Sequence, residues 1–379
     1  MNKKIMIIAG EASGDLHGSS LIDELLKIDP TLEISGIGGD KMINSGLKKL
    51  HHIKEMSFLG FVEVIKHLPF IKKVKSDLIE HLKSENIKTA VLIDYPGFNL
   101  SIAKSFKALG VKNIYYISPQ IWAWGKGRIK KIKKLITRMI VLFPFEKKMY
   151  DEFEIHSDFV GHPLICKIEN YNFLDKDSLF GKYNFDPSKE LLVILPGSRK
   201  QEIEMFFTDL FQGAKKISQE FNLQIAIACA DNIDENFIGS FMPNENFFLI
   251  KNDTYNLLKH ASFAIVKSGT STLETAIIST PFIVVYKTNF LTYLIVKGLI
   301  KINNIALVNI VAGKTVVKEL IQNDVNSDNI FNQIKEILSS TENLNKLKSE
   351  LNSVKRNLHT EGNPSKKAAE IIYSELNAI

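Results

Sequence analysis

Three side chains in the first half of the chain are of types that exchange protons with a hydroxyl group. Glu11 and His17 lie in the glycine-bearing segment AGEASGDLHG, which follows an apolar run, and Asp94 ends a second apolar run. A carboxylate or an imidazole in such a place can act as a general base. The alternatives are structural, because Ser13 or Asp15 can cap the following helix and Asp94 can close a turn. The residues alone leave both interpretations open.

The second half carries groups suited to an anionic ligand. Arg199, one of four arginines in the chain, follows a Pro-Gly-Ser turn, where its planar guanidinium can form paired hydrogen bonds with a diphosphate. A loop of small polar residues precedes a predicted helix: Ser268, Gly269, Thr270, Ser271 and Thr272. Amides at a helix N-terminus bind phosphate oxygens, and Glu274 in the first turn can accept hydrogen bonds from ribose hydroxyls. A capped helix without a ligand is the alternative, which the run of small polar residues disfavours.

These residues all follow short apolar runs, which predict buried parallel strands when glycine or turn residues bound them. Runs of this kind lie at 4–9, 90–93, 114–117, 139–142, 159–160, 191–195, 223–228, 247–250, 263–266 and 282–285. Segments with helical spacing separate them, so the predicted fold class is α/β, with two Rossmann-like domains facing a central cleft. Ligands bind beyond the carboxyl ends of the strands in such sheets.

An aperiodic stretch rich in Asn, Asp and Lys interrupts this pattern at 165–188 and predicts a connection between domains. The predicted domains are an N-terminal domain at 1–165 and a C-terminal domain at 190–360. The last segment, 361–379, is predicted as a helix that crosses to the N-terminal domain or to a partner subunit.

Composition limits the class of protein. The 379 residues are 45% hydrophobic and 24% charged, as in a globular protein, and the net charge is +6. The two cysteines, far apart in sequence, predict neither a disulfide framework nor a zinc site. We expect a cytoplasmic protein whose contact with a membrane is peripheral, since no apolar stretch is long enough for a spanning helix or a secretory signal. The basic run at 126–138 is more typical of a solvated helix face than of a nucleic-acid site.

Several motifs, taken in chain order, resemble the lipid-A-disaccharide synthase family of inverting glycosyltransferases. They are AGEASGDLHG (9–18), GIGGDKM (36–42), IDYPGFN (93–99), SPQIWAWGKGR (118–128), LPGSRKQEI (195–203), SGTSTLE (268–274) and LVNIVAGK (307–314). The resemblance implies a GT-B fold and no metal or organic cofactor. The implied donor is UDP-2,3-diacylglucosamine, and the implied acceptor is 2,3-diacylglucosamine 1-phosphate. Attack by the acceptor 6-hydroxyl group would give a β-1′,6 disaccharide phosphate and UDP.

The resemblance also implies roles for residues at matching positions. Asp94 is the expected base for the acceptor hydroxyl, with His17 as the second candidate, and Glu11 and Ser13 are expected beside the acceptor. The expected donor side consists of Arg199, Ser268, Gly269, Thr270, Ser271, Thr272, Glu274 and Asn309. Of these, Arg199 matches a position that is essential in the family, as Asp94 does.

Both implied substrates carry acyl chains, so we expect the enzyme to contact the inner membrane as a peripheral protein. The stretch 58–73 is apolar on more than one face and has clustered cations, which suits a membrane interface, although burial between domains is the alternative. C-terminal helices exchange between subunits in this family. A homodimer is therefore a further expectation, with 365–376 as the exchanged segment.

A UDP-sugar epimerase of the same fold is the nearest competing interpretation. It would share the 268–274 loop without needing a lipid acceptor. A non-catalytic basic protein that binds nucleic acid or a membrane through 126–138 is a second alternative, but it leaves the loops unexplained. Release of UDP only when an acylated acceptor is present separates these possibilities.

Overall fold

The structure is a computed structural model that describes residues 3–56, 67–119, 127–242, 245, 247–289 and 304–378. The chain divides into two compact units. Unit 1 consists of residues 1–163 together with 360–379, and unit 2 consists of residues 164–359. The C-terminal segment therefore belongs to unit 1, although unit 2 precedes it in the chain.

Unit 1 is built on a parallel sheet. Its strands in the described ranges are β1 (Lys4–Ala9), β2 (Glu33–Gly38), β3 (Lys48–His52), β4 (Thr89–Ile93), β5 (Lys112–Tyr116), β6 (Arg138–Val141) and β7 (Ser157–Phe159). Their spatial order is β3-β2-β1-β4-β5-β6-β7. The order reverses between β1 and β4, and the loops that leave these neighbours diverge, which opens a crevice at their carboxyl ends.

The helices that precede unit 2 are α1 (Ala12–Ile28), α2 (Asp40–Asn44), α3 (Ile53–Met56), α4 (Leu68–Ser84), α5 (Pro96–Ala108), α6 (Gly127–Leu135) and α7 (Pro144–Glu152). Successive side chains of a strand point to opposite faces of the sheet. Met6 and Ile8 of β1 accordingly join one core with α4, α5 and α6, while Ile5 and Ile7 join a second core with α1 and the C-terminal helix. The sheet is thus buried on both faces.

Unit 2 contains a second parallel sheet. Its strands are β8 (Glu190–Leu195), β9 (Leu223–Cys229), β10 (Phe248–Lys251), β11 (Ala261–Lys267), β12 (Phe282–Tyr286) and β13 (Glu319–Ile321). Their order is β10-β9-β8-β11-β12-β13, so this sheet reverses between β8 and β11. Its helices are α8 (Pro163–Glu169), α9 (Lys176–Tyr183), α10 (Lys200–Phe221), α11 (Glu235–Gly239), α12 (Thr254–His260), α13 (Ser271–Ile278), α14 (Leu307–Ala312), α15 (Ser327–Leu338) and α16 (Thr341–Leu358).

The prediction of an α/β fold with parallel sheets is confirmed, and each predicted strand is present with small shifts at its ends. Three strands were missed. The β2 sequence EISGIG has glycines and a serine that weaken strand propensity, β3 is a polar edge strand (KKLHH), and β13 is a short edge strand. The stretch 165–188, expected as a connection, instead contains most of α8 and all of α9 and lies in unit 2.

The C-terminal helix, α17 (Pro364–Asn377), packs against α1 of the same chain. Its buried apolar residues are Ala368, Ala369, Ile372 and Leu376. The Tyr373 hydroxyl donates to Asp29 Oδ2 at 3.0 Å. The Arg138 guanidinium donates to Asp158 Oδ2 at 2.7 Å and to Glu375 Oε1 at 2.9 Å, which ties α17 to β6 and β7.

Candidate functional site

The candidate residues of unit 1 follow two neighbouring strands. Ala9, the last residue of β1, pairs with Ile93, the last residue of β4. Gly10 and Asp94 therefore leave the sheet side by side, at the point where the strand order reverses. This is the position at which doubly wound sheets bind their ligands.

Asp94 and Tyr95 form a turn with an uncommon backbone. Both have left-handed backbone conformations, with φ of +44° and +46°, which residues other than glycine rarely adopt. The Tyr95 ring lies over Gly10, and a Cβ atom at Gly10 would collide with that ring. The Tyr95 hydroxyl donates to the Met56 carbonyl at 3.0 Å. Gly10 is thus needed because an aromatic ring approaches its backbone closely.

Two buried side chains hold this turn through the Asp94 carbonyl. The Tyr115 hydroxyl donates to that oxygen at 2.5 Å, and Asn99 Nδ2 donates to it at 2.7 Å. Both residues have no exposed surface. Left-handed residues cost about 1–3 kcal/mol each and persist only when their surroundings enforce them. Tyr115 and Asn99, which the sequence did not single out, supply that enforcement.

The environment of Asp94 makes its carboxylate more basic than usual. Burial and then the negative charge of Glu11 raise the pKa of Asp94 from 3.8 to about 6, while a hydrogen bond from the Tyr95 amide opposes the rise. The group is ionised at pH 7 and close to the pH at which it would take up a proton. These are the properties of an effective general base.

The second candidate base, His17, is coupled to a different residue. Burial lowers the pKa of His17. Burial and the charge of His17 lower the pKa of His162 to about 3. In the described part of the chain no hydrogen bond or ion pair joins His17 to Asp94. The structure therefore groups Asp94 with Glu11, and His17 with His162.

Neither Ser13 nor Asp15 caps α1, which corrects the structural alternative for this segment. The N-cap residue is Glu11, and its side chain makes no capping hydrogen bond. The Asp15 carboxylate instead accepts from the amides of Gly39 at 2.7 Å and Met42 at 3.1 Å, so it caps α2. Ser13 is exposed. The first turn of α1 is left without a side-chain cap, and its amides are available to a ligand.

In unit 2 the candidate residues also follow two neighbouring strands at a reversal of strand order. Leu195, the last residue of β8, pairs with Val266 near the end of β11. A cavity of about 350 Å³ lies between the two loops that follow. Its polar lining includes Ser198, Thr254, Lys267, Ser268, Thr270, Ser271 and Glu274.

The loop at 268–272 presents backbone and hydroxyl groups to this cavity. The N-cap residue of α13, Thr270, makes no capping hydrogen bond with its side chain. A Cβ atom at Gly269 would meet nothing within 4 Å, so the backbone there is open to a ligand. Thr272 is fully buried, and its hydroxyl donates to the Gly269 carbonyl at 2.8 Å. Thr272 shapes the loop, whereas Ser268, Thr270 and Ser271 line the cavity.

Glu274 is held in position by a neighbouring aromatic residue. The Tyr255 hydroxyl donates to Glu274 Oε1 at 2.6 Å. Burial, followed by the Glu274 charge, raises the pKa of Tyr255, so the phenol stays protonated and keeps donating. One carboxylate oxygen of Glu274 is thus engaged by Tyr255, and the residue lines the cavity. Sequence reasoning named Glu274 but missed Tyr255.

Arg199 is connected to the cavity through a buried carboxylate. Its side chain is 77% exposed, and its Nη1 lies 3.3 Å from Glu202 Oε1. The other oxygen of Glu202 lies 2.7 Å from Lys267 Nζ. Sequence reasoning named Arg199 and missed Glu202 and Lys267. A signal was present for Lys267, because it is the one charged residue at the end of the apolar strand FAIVK.

Asn309, expected near the donor, has its side chain held by hydrogen bonds within unit 2. Its side chain is fully buried. Its Nδ2 donates to the Val317 carbonyl at 2.8 Å and to Glu319 Oε1 at 2.7 Å, and its Oδ1 accepts from the amides of Val316 and Val317. All four hydrogen-bonding positions of the amide are therefore used within unit 2.

Some expectations concern residues outside the described part of the chain. These are Trp122 and Trp124, and the 57–66 portion of the stretch expected at a membrane interface. At the start of α4, Leu68 is 45% exposed. The helix α6 buries Ile129, Ile132 and Leu135 and exposes its basic residues, so the basic run there is a solvated helix face.

None of the helices in the described ranges combines the length and apolar character that crossing a membrane requires. The same ranges hold no group of three or more His, Cys, Asp or Glu residues placed to bind a metal ion.

Two parallel α/β sheets, each with polar loops at its reversal point, define the class of proteins with a GT-B fold. The chain is similar to the UDP-GlcNAc 2-epimerase from Neisseria meningitidis solved with UDP-GlcNAc, with a TM-score of 0.60, 12% identity and coverage of 99% and 100% of the two chains. It is also similar to the calicheamicin glycosyltransferase, with a TM-score of 0.64, 12% identity and coverage of 100% and 99%. At this identity the likeness establishes the fold alone.

The sequence identifies the family within that class. A sequence profile described as Lipid-A-disaccharide synthetase matches residues 5–373, and the chain belongs to this family of glycosyltransferases. The chain is 36% identical over 376 residues to the lipid-A-disaccharide synthase of Geobacter sulfurreducens, covering 98% of this chain and 97% of that relative. It is 34% identical over 374 residues to that of Coxiella burnetii strain CbuG_Q212, covering 98% of each.

Proposed function

We propose that the chain transfers 2,3-diacylglucosamine from UDP-2,3-diacylglucosamine to the 6-hydroxyl group of 2,3-diacylglucosamine 1-phosphate. The observation that carries this proposal is the match to one glycosyltransferase family over nearly the whole chain. The loops support it as well. Each unit has two polar loops at the point where the strand order of its sheet reverses, so each unit offers a place for one substrate. We assign the acceptor to unit 1 and the donor nucleotide to unit 2.

Asp94 acts as the base in this proposal. As the acceptor oxygen attacks the anomeric carbon, its proton passes to the Asp94 carboxylate, and the bond from that carbon to the diphosphate oxygen breaks on the opposite side. A carboxylate with a pKa of about 6 is ionised at pH 7 and still basic enough to assist. Tyr115 and Asn99 hold the turn that presents it.

The departing diphosphate needs stabilisation as its negative charge grows. The amides of the 268–271 loop and the N-terminus of α13 supply partial positive charge for this purpose. Arg199 contributes a full charge from an exposed position. Glu274, held by Tyr255, accepts hydrogen bonds from the ribose hydroxyls.

The test is an assay of purified enzyme with both lipid substrates. We expect Asp94→Ala to lower kcat by about 10²–10⁴-fold while the enzyme retains its affinity for UDP, because the base acts only in the chemical step. Arg199→Ala should weaken both turnover and UDP binding. Near-normal turnover of folded Asp94→Ala would disprove the base assignment, and UDP release without an acylated acceptor would favour an epimerase.

The acyl substrates also require contact with a membrane, and we propose peripheral binding to the inner membrane through the 58–73 stretch. Leu68, exposed at the start of α4 near Lys72 and Lys73, supports this. Leu68→Ser should reduce binding to anionic liposomes, whereas Phe153→Ser, at a site that is 40% exposed, should not. Equal effects of the two variants would count against this surface. A homodimer and the absence of a nucleic-acid partner stay predictions.

A further inference from the structure

Lys267 is the cation that lines the unit 2 cavity among the described residues, and the proposed function above leaves it without a role. Arg199, the arginine expected at the leaving group, is not among the lining residues. Lys267 is the last residue of β11 and immediately precedes the 268–271 loop. Its side chain is only 15% exposed, which is unusual for a lysine and requires a partner.

Three contacts fix the Lys267 side chain. Its ammonium lies 2.7 Å from Glu202 Oε2 and 5.6 Å from the centre of the Tyr286 ring. Its aliphatic stem packs against Gly197, where a Cβ atom would come within 3.2 Å of Lys267 Cδ. Gly197 has φ of +95°, so glycine is favoured there on backbone grounds as well. The ammonium is thus held at the cavity before any ligand arrives.

The charges in this cluster do not cancel. In the cluster of Glu202, Lys267 and Arg199, one negative charge faces two positive charges, while Glu274 places a further negative charge in the cavity lining. An ammonium group has three donors, and the ion pair with Glu202 occupies at most one of them. Lys267 therefore keeps donors for an anionic ligand while Glu202 prevents it from swinging away.

We infer that Lys267, positioned by Glu202, is the residue that binds the diphosphate of the donor nucleotide and stabilises it as it departs. Glu202 is a positioning residue in this scheme, and through its second oxygen it also tethers Arg199. The inference rests on the proposed donor site in unit 2. It adds a recognition element for the diphosphate and none for the uracil or ribose.

The test compares the binding of UDP and uridine by titration calorimetry in wild-type enzyme and in Lys267→Met. Methionine retains most of the side-chain volume and removes the charge. We expect the Kd for UDP to rise by about 10- to 100-fold, since a hydrogen bond to a charged group is lost, while the Kd for uridine changes by less than about twofold. A purely structural role would weaken both ligands alike.

Lys251→Met is the matched control. Lys251 ends β10 as Lys267 ends β11, and it lies 3.9 Å from Glu235, but it does not line the cavity. This variant should bind both ligands as the wild type does. If Lys267→Met folds poorly, Lys267→Met/Glu202→Gln removes both charges of the pair and should show the same selective loss of UDP affinity.

The outcomes separate the inference from the proposed function. Unchanged UDP affinity in Lys267→Met, or an equal loss of uridine affinity, would overturn the inference and leave the donor site intact. A wild-type enzyme that binds neither UDP nor uridine would overturn the donor site itself. If Arg199→Ala lost affinity for UDP while Lys267→Met kept it, the diphosphate contact would belong to Arg199 and not to Lys267.

Discussion

At the scale of single residues, the most consequential property is the pKa of Asp94, which burial and Glu11 raise to about 6. If Asp94 is the base, kcat/KM should fall below pH 6 by about tenfold per pH unit as the carboxylate takes up a proton. Glu11→Gln removes a negative charge that favours protonation, so the midpoint of this acidic limb should move to lower pH. A pH–rate profile measures it, with exposed Asp23→Asn as control. An unmoved midpoint in Glu11→Gln would contradict the assignment.

The same pKa makes a prediction about stability. Between pH 3.8 and about 6 folded Asp94 binds more protons than unfolded Asp94, so its contribution to stability falls as the pH rises through this window. Asp94→Asn should therefore raise the unfolding free energy of unit 1 by about 1–3 kcal/mol at pH 7.5. The gain should shrink as the pH approaches 4. Urea unfolding at pH 7.5 and 4.5 tests this, and a gain that is equal at both pH values would show that only the backbone preference of asparagine changed.

At the scale of elements, the sequence predicted which strands the candidate residues follow but not how the turns are shaped. Short apolar runs located β1, β4, β8 and β11, because a parallel strand that is buried on both faces of its sheet is apolar at nearly every position. The left-handed turn at Asp94 and Tyr95 has a weaker signal, since aspartate tolerates that conformation but tyrosine rarely adopts it. Hydrogen bonds from Tyr115 on β5 and Asn99 on α5 impose it, and contacts of this kind are invisible to local propensity.

The contact between the β1–α1 and β4–α5 turns gives a prediction at this scale. Gly10→Ala places a methyl group in the Tyr95 ring, so the ring and the adjoining Asp94 must shift. We expect the unfolding free energy to fall by about 1–3 kcal/mol and kcat to fall with it. Gly97→Ala is the control, because a Cβ atom there meets nothing within 4 Å, and it should leave both quantities nearly unchanged. Thermal melts and steady-state rates of the two variants test this prediction. If Gly10→Ala had the stability and kcat of the wild type, the Tyr95 ring could not pack against Gly10 as described.

At the scale of the whole molecule, several contacts that shape the candidate sites join residues far apart in the sequence. Asp15 caps α2 through Gly39, and Lys267 at the end of β11 pairs with Glu202 in the first turn of α10. Periodicity predicts which face of an element is buried but not which partner covers it, so neither pairing was predicted. The sequence shows that Asp15 and Glu202 are charged, but the partner of each residue depends on which strands lie side by side in the sheet.

The return of the chain to unit 1 gives the last prediction. Ile372 of α17 is fully buried in the core that α1 shares with β1 and β4. Ile372→Ala should therefore cost unit 1 about 2–5 kcal/mol, even though nearly two hundred residues of unit 2 separate it from the rest of unit 1. Ile371→Ala, the same change at a partly buried neighbour, should cost less. Amide hydrogen exchange should show reduced protection of β1 and α1 in Ile372→Ala, while β8 and β11 keep theirs. The reason is that the substitution leaves an unfilled space only in the core of unit 1, so only unit 1 loses stability. Equal loss of protection in both units would mean that they unfold as one.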